Sequence, residues 1–251
     1  MASETSATPT SREPELRGQT VVLLGGSAGI GLETARRAHG EEAEVILVGR
    51  NPERLQEAAA EVGAKSTAAF DAADPTVLES FFRGLEAPID HVLVTAGRPR
   101  YGPLADMSFE EMRDGLDDHL MQTLYVARAA GDMVRPGGTL VFMGGTGARR
   151  PRPGLALAST QTVASPALIA SLALELAPVR VNLIAAGFVD TPLSASLLGD
   201  QLEARRQELR EKLPIGRVVG PEDVAALAVH IMSNTALTGA TFDIDGGQQL
   251  V

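Results

Sequence analysis

Along this chain, short apolar runs alternate with segments whose apolar positions recur with a helical period. The runs are TVVLL from Thr20, EVILV from Glu44, STAAF from Ser66, HVLVT from His91, TLVFM from Thr139, RVNLI from Arg180 and ATFDI from Ala240. Most are continuous rather than alternating, the mark of parallel strands covered on both faces. The longest intervening segment, PGLALASTQTVASPALIASLALELAP, reads as one helix from Pro153 that ends at Pro178. With no repeat and no long linker, this order predicts an α/β fold: one Rossmann-like domain with a doubly wound parallel sheet of about seven strands and helices on both faces.

The first 16 residues, MASETSATPTSREPEL, break the pattern. Rich in Ser, Thr, Pro and Glu, they bury too little apolar surface to offset ordering, so residues 1–16 are expected to be a disordered tail ahead of a domain over 17–251. They have neither the basic start nor the apolar centre of a signal peptide. No apolar run approaches the ~18 residues of a membrane span. A soluble, cytoplasmic protein without a membrane partner is the expectation.

Composition narrows the chemistry. The 251 residues are 44% hydrophobic, enough for one large core. A net charge of −10 argues against nucleic acid or an anionic membrane as partner, which leaves a small-molecule substrate. There is no cysteine, so disulfides, thiolate catalysis and cysteine-ligated metals are excluded. His39, His91, His119 and His230 form no helical pair with metal-ligand spacing, and no metal is expected.

The first strand runs into GGSAGIG, where Gly25, Gly29 and Gly31 precede the helical segment LETARRAH. Glycines at such a junction let the backbone turn sharply and approach a pyrophosphate, whose charge then sits on helix N-terminal amides. The second strand ends in VGRN, so Arg50 stands where an NAD-specific site has a carboxylate for the ribose hydroxyl. A charge-assisted contact to a 2′-phosphate is worth about 1.5–3 kcal/mol, favouring NADP(H) over NAD(H) by roughly tenfold or more. The plainer reading is an arginine solvated at a strand end.

These glycines, Asp71 in FDAADP, TAG at Thr95–Gly97, RVNLIAAGFVDTP, GRVVGPEDVA and TGATFDIDGG together resemble the short-chain dehydrogenase/reductase family, from about Arg17 onward. The resemblance implies a nucleotide turn at Gly25, Ser27, Gly29, Ile30 and Gly31, with Arg50 and Asn51 at the adenosine phosphate. It places Asp71 and Ala72 on the adenine, Ala96 and Gly97 beside the ribose, and Gly187, Val189 and Thr191 at the nicotinamide. Leu24 replaces the usual threonine and Val94-Thr95 the usual Asn-Asn, which should weaken hydrogen bonding there. Residues 192–214 resemble a mobile substrate lid with Leu193, Leu197, Leu198 and Leu202 on its apolar side, although ordinary packing would use the same leucines. Relatives commonly associate through the fourth and fifth helices and the C-terminal strand, and a helix apolar on more than one face, with Leu168, Ile169, Leu172 and Leu174, is either deeply buried or shared between chains; a homodimer or homotetramer is the expectation.

The family's catalytic Asn, Ser, Tyr and Lys are missing. Their positions hold His119, Gly145, Ala158 and Thr162; the only lysines are Lys65 and Lys212, and the only tyrosines Tyr101 and Tyr125. His119, of a residue type whose ordinary pKa of about 6.5 permits proton transfer at neutral pH, and Tyr101, in the loop after the fourth strand, are the candidate proton donors, each with packing as the plainer role. Thr146, Ser159 and Thr160 could donate hydrogen bonds but are not acids. Arg149, Arg150 and Arg152 could receive an anionic group or simply be solvated. The expected activity is an NADP(H)-dependent reduction of a carbonyl or activated alkene of a small, partly apolar substrate, with an unusual proton source. The alternatives are a non-redox cyclase or isomerase on the same scaffold and a catalytically inactive nucleotide-binding subunit.

Overall fold

A computed structural model describes residues 15–86 and 88–251, apart from the side chains of Asp117 and Asp118. The expected tail lies outside the described residues up to position 14, but its last residue does not belong to it. Leu16 is fully buried, and its amide donates to the Glu41 carbonyl at 3.2 Å. One leucine among polar residues was enough to reach the core.

The strands are β1 (Thr20–Leu24), β2 (Glu44–Gly49), β3 (Ser66–Ala69), β4 (Ile89–Val94), β5 (Val134–Gly145), β6 (Arg180–Ala186) and β7 (Thr241–Ile244). They form one sheet in the order β3-β2-β1-β4-β5-β6-β7, every neighbouring pair parallel. The chain winds outward from β1, returns to β4 and winds outward the other way. The carboxyl ends of β1 and β4 therefore frame the crevice where ligands bind in such sheets.

Around the sheet lie α1 (Gly29–Gly40), α2 (Pro52–Val62), α3 (Pro75–Arg83), α4 (Phe109–Ala130), α5 (Ala156–Glu175), α6 (Pro192–Leu198), α7 (Leu202–Lys212) and α8 (Pro221–Ser233). Alternate strand residues point to opposite faces. Leu23, Leu47, Leu93 and Val141 join Ala35 of α1, Leu55 of α2 and Val224 of α8 in one core, while Val22, Val92, Leu140 and Phe142 join Phe82 of α3, Val126 of α4 and Ile169 of α5 in the other. Side chains set several helix starts: Asn51 caps α2, Asp74 caps α3, and Ser108 with Glu111 forms a capping box at α4.

Helix α5 starts three residues later than expected, because Gly154 takes a left-handed φ of +83° that ends the preceding loop. By length and composition it is apolar enough to cross a membrane, with a mean hydropathy of 1.3, a property its many alanines conceal when only large apolar residues are scanned. Its Ile169 and Leu172 are buried in the core.

Candidate active site

The turn after β1 is built by backbone packing. The Gly25 and Gly26 amides donate to the Val48 carbonyl at 2.9 and 3.0 Å, pinning the turn to the end of β2. The Thr95 and Ala96 amides donate to the Leu24 carbonyl at 2.8 and 2.9 Å from the end of β4. A β-carbon on Gly25, whose φ is +98°, would meet Thr95 Oγ1 at 2.5 Å, and one on Gly31 would meet the Gly25 carbonyl at 2.3 Å. Neither position admits a side chain without moving backbone. The hydrogen bonding expected to be lost at Leu24 and Thr95 is partly restored, because the Thr95 hydroxyl lies 3.2 Å from both the Leu24 and Gly25 carbonyls. Gly29, left-handed at +52°, lies against Thr191. Helix α1 starts there with no side-chain cap and no acidic residue in its first turn, which suits an anion at its amides.

At the ends of β2 and β3 the residues expected around adenosine come together. Arg50 is 80% exposed on its side chain and 3.8 Å from Asp71, a weak surface pair. Ser27 is buried against Gly49, and Ala72 is buried behind Asp71. Asn51 Oδ1 accepts from the Arg54 amide at 2.8 Å, so part of its capacity goes to capping α2. On the other side of the crevice, the Phe188 amide donates to Gln248 Oε1, and a β-carbon on Gly187 would fall 2.6 Å from that of Asp245. Thr191 caps α6, accepting from the Ser194 amide.

A cavity of about 1270 Å³ opens beside this turn. Ile30, Gly97, Gly187, Val189 and Thr191 line it; Gly25, Ser27, Gly29, Gly31, Arg50, Asn51, Asp71, Ala72 and Ala96 lie outside its walls. His119, Tyr101, Gly145, Ala158 and Thr162, drawn from four parts of the sequence, all line this one cavity. The half-buried imidazole of His119 presses on the backbone of Gly97. Tyr101 is 55% exposed, and the burial its phenol does have pushes its pKa above the ordinary 10, away from neutral proton transfer. The hydroxyls of Thr146, Ser159 and Thr160 are committed to Asp245, the Ala148 carbonyl and the Ala156 carbonyl.

Residues 25–249 match the family model described as enoyl-(acyl carrier protein) reductase. The chain belongs to the short-chain dehydrogenase/reductase family. Among its relatives is the short-chain dehydrogenase/reductase malC of Malbranchea aurantiaca, 28% identical over 96% of this chain and 99% of that protein. Carbonyl reductase family member 4 of Xenopus laevis is 27% identical over 91% and 97% of the two chains. The structure of the MalC reductase/Diels-Alderase superposes with a TM-score of 0.87 at 26% identity, covering 95% of this chain and 99% of that one. A small-chain dehydrogenase in complex with NADPH superposes with a TM-score of 0.79 at 25% identity, covering 93% and 100%.

The cavity of this short-chain dehydrogenase/reductase is lined mainly by positive charge. The lining holds seven basic side chains, Arg98, Arg100, Arg149, Arg150, Arg152, Arg205 and Lys212, and one acidic one, Glu208. Arg149 forms a two-pronged pair with Asp243 at 2.6 and 2.7 Å, and Arg150 donates to the carbonyls of Gln249 and Val251. Of the three arginines singled out in the sequence, only Arg152 keeps its charge unengaged among the described residues. On α7, Lys212 and Arg205 flank Glu208 at 2.9 and 2.6 Å and hold its carboxyl down to about 2. Positions 205, 208, 209 and 212 share one helix face, a periodicity visible in the sequence, but the face that reaches the cavity was not. In the 192–214 segment Leu193, Leu197, Leu198, Leu209 and Leu213 line the cavity, whereas Leu202 does not.

Proposed function

We propose that this protein is an NADP(H)-dependent oxidoreductase that reduces a carbonyl or activated alkene of a small, partly apolar substrate, with His119 as proton donor. The observation that carries the reading is the position of His119, in the cavity wall and against Gly97 of the nucleotide crevice. The Gly25–Gly31 turn, the uncapped start of α1 and the exposed Arg50 are the donor set an NADP phosphate chain needs. When bound, the nucleotide supplies the hydride. The chain's own residues do the rest: Gly187, Val189 and Thr191 orient the reacting end, the α6–α7 segment shields it from water, and His119 Nδ1 or Nε2 delivers the proton. The neighbour solved with NADPH and the carbonyl reductase relative support the cofactor and reaction class.

Single-turnover mixing of the NADPH-loaded protein with ketones, enones and imines tests this. Loss of nicotinamide absorbance is expected for at least one class; a cofactor that stays reduced throughout overturns the reading.

A second reading is favoured by the absence of tyrosine and lysine from α5 and by the relative described as a reductase/Diels-Alderase. In it the cavity is a template for a non-redox cyclisation or isomerisation. Product formation without any change in nicotinamide absorbance would select it. Nucleotide binding with neither outcome would leave a non-catalytic subunit.

A further inference from the structure

The charge of the cavity runs against that of the protein. A chain of net charge −10 has gathered seven cations and one carboxylate around a single concavity. Concave walls of one sign focus the field and raise the local concentration of opposite charge.

Several of these cations are spoken for. Arg149 pairs with Asp243 in β7, Arg150 holds the carbonyls of the segment after it, Arg205 and Lys212 share Glu208, and Arg100 lies 3.5 Å from Glu111. Arg98, in the loop after β4, and Arg152, in the loop before α5, are exposed, and their guanidinium groups make no hydrogen bond or ion pair among the described residues. Neither is among the residues assigned to the cofactor. The groups assigned to its phosphates, Gly25, Gly31 and Arg50, lie outside the cavity walls. The same lining includes the apolar Leu155, Leu193, Leu197, Leu213 and Phe188.

We propose that the ligand of this cavity is an anion with an apolar body, its carboxylate or phosphate held by Arg98 and Arg152 while the body lies on the leucine walls. Guanidinium groups match both oxyanions with paired N–H donors, so the shared feature is the planar or tetrahedral oxyanion itself. The inference rests on the proposed function only in taking the cavity as the substrate site. It needs no hydride transfer to be tested.

The test is calorimetric binding of naphthoate, naphthyl phosphate and the uncharged methyl ester of naphthoate, to the NADPH-loaded protein and to the protein without nucleotide. At least one of the two anions should bind roughly tenfold or more tightly than the ester, and the margin should shrink as salt is raised. Which anion binds better identifies the headgroup. Arg98→Ala combined with Arg152→Ala should abolish the preference while NADPH affinity holds. Arg113→Ala, on the exposed face of α4 and outside the cavity, should leave it intact. Equal binding of anions and ester overturns the proposal, as does a preference that survives in the double variant or is lost in the Arg113 control. Failure of NADPH binding alone, with anion preference retained in the nucleotide-free protein, would count against the oxidoreductase reading and for the anion site.

Discussion

The imidazole of His119 lies so close to the α-carbon of Gly97 that a β-carbon there would fall 2.7 Å from its Cε1. Gly97 also has a φ of +132°, so a side chain is refused on both steric and conformational grounds. The contact fixes the ring against the backbone that follows β4. If His119 is the proton donor, His119→Ala should lower turnover by about 100-fold with little change in NADPH affinity, the pattern of an interaction made only in the transition state. Steady-state kinetics beside calorimetry will show it. Turnover within about threefold of the parent removes the role, and a matching loss in Tyr101→Phe transfers it to the phenol.

Arg50 is the residue on which cofactor choice should turn. Its 3.8 Å pair with Asp71 is exposed and offers little restraint, so the guanidinium can reorient toward a 2′-phosphate. The parent should bind NADPH at least ~10-fold more tightly than NADH, and Arg50→Ala should equalise the two by weakening NADPH alone. Titration calorimetry with both nucleotides decides it. Equal affinities in the parent would leave Arg50 a surface residue.

Buried His91 predicts a pH dependence of stability. Its Nε2 meets Gln19 Oε1 at 2.5 Å and its Nδ1 has no partner; burial, aided by the Arg180 charge and opposed by Asp90, lowers its pKa from 6.5 to about 4. The folded state therefore prefers the neutral ring. Its contribution is complete above pH 6.5 and is lost as pH falls toward 4, where the unfolded chain takes up the proton first. The loss should approach about 3 kcal/mol across that window. Denaturant unfolding of the parent and of His91→Gln across this range should diverge by that amount; parallel curves would show that the ring is not the origin.

On α5, Val163, Ala167, Ala170 and Leu174 form one exposed stripe, with Val163 at 72% and Leu174 at 83% exposure. The proposed cover is a second copy of the chain. Light scattering at micromolar concentration should give a dimer or tetramer, and Val163→Glu with Leu174→Glu should give the monomer. A monomeric parent ends the proposal.

Much of this protein is legible in local pattern. The strands starting at Thr20, Glu44, Ser66 and Arg180 lie where their apolar runs begin, because the strands of a parallel sheet covered on both faces are apolar throughout. The glycine turn was legible too, since no other residue tolerates the backbone contacts at Gly25 and Gly31. The absence of tyrosine and lysine from α5 needed no structure at all. Other features depend on residues far apart in the chain. Arg149 is neutralised by Asp243, 94 positions away, and Thr95 restores a tie to Leu24 across 71 positions. The face of α7 carrying Arg205, Glu208 and Lys212 could point to solvent or cavity with the same period. Hydrophobic periodicity specifies which element forms and which face it buries, because those energies are local. Which charges meet across the carboxyl ends of β4, β5 and β7 is decided by the order and twist of the sheet, and the tertiary structure alone brought seven cations around one cavity.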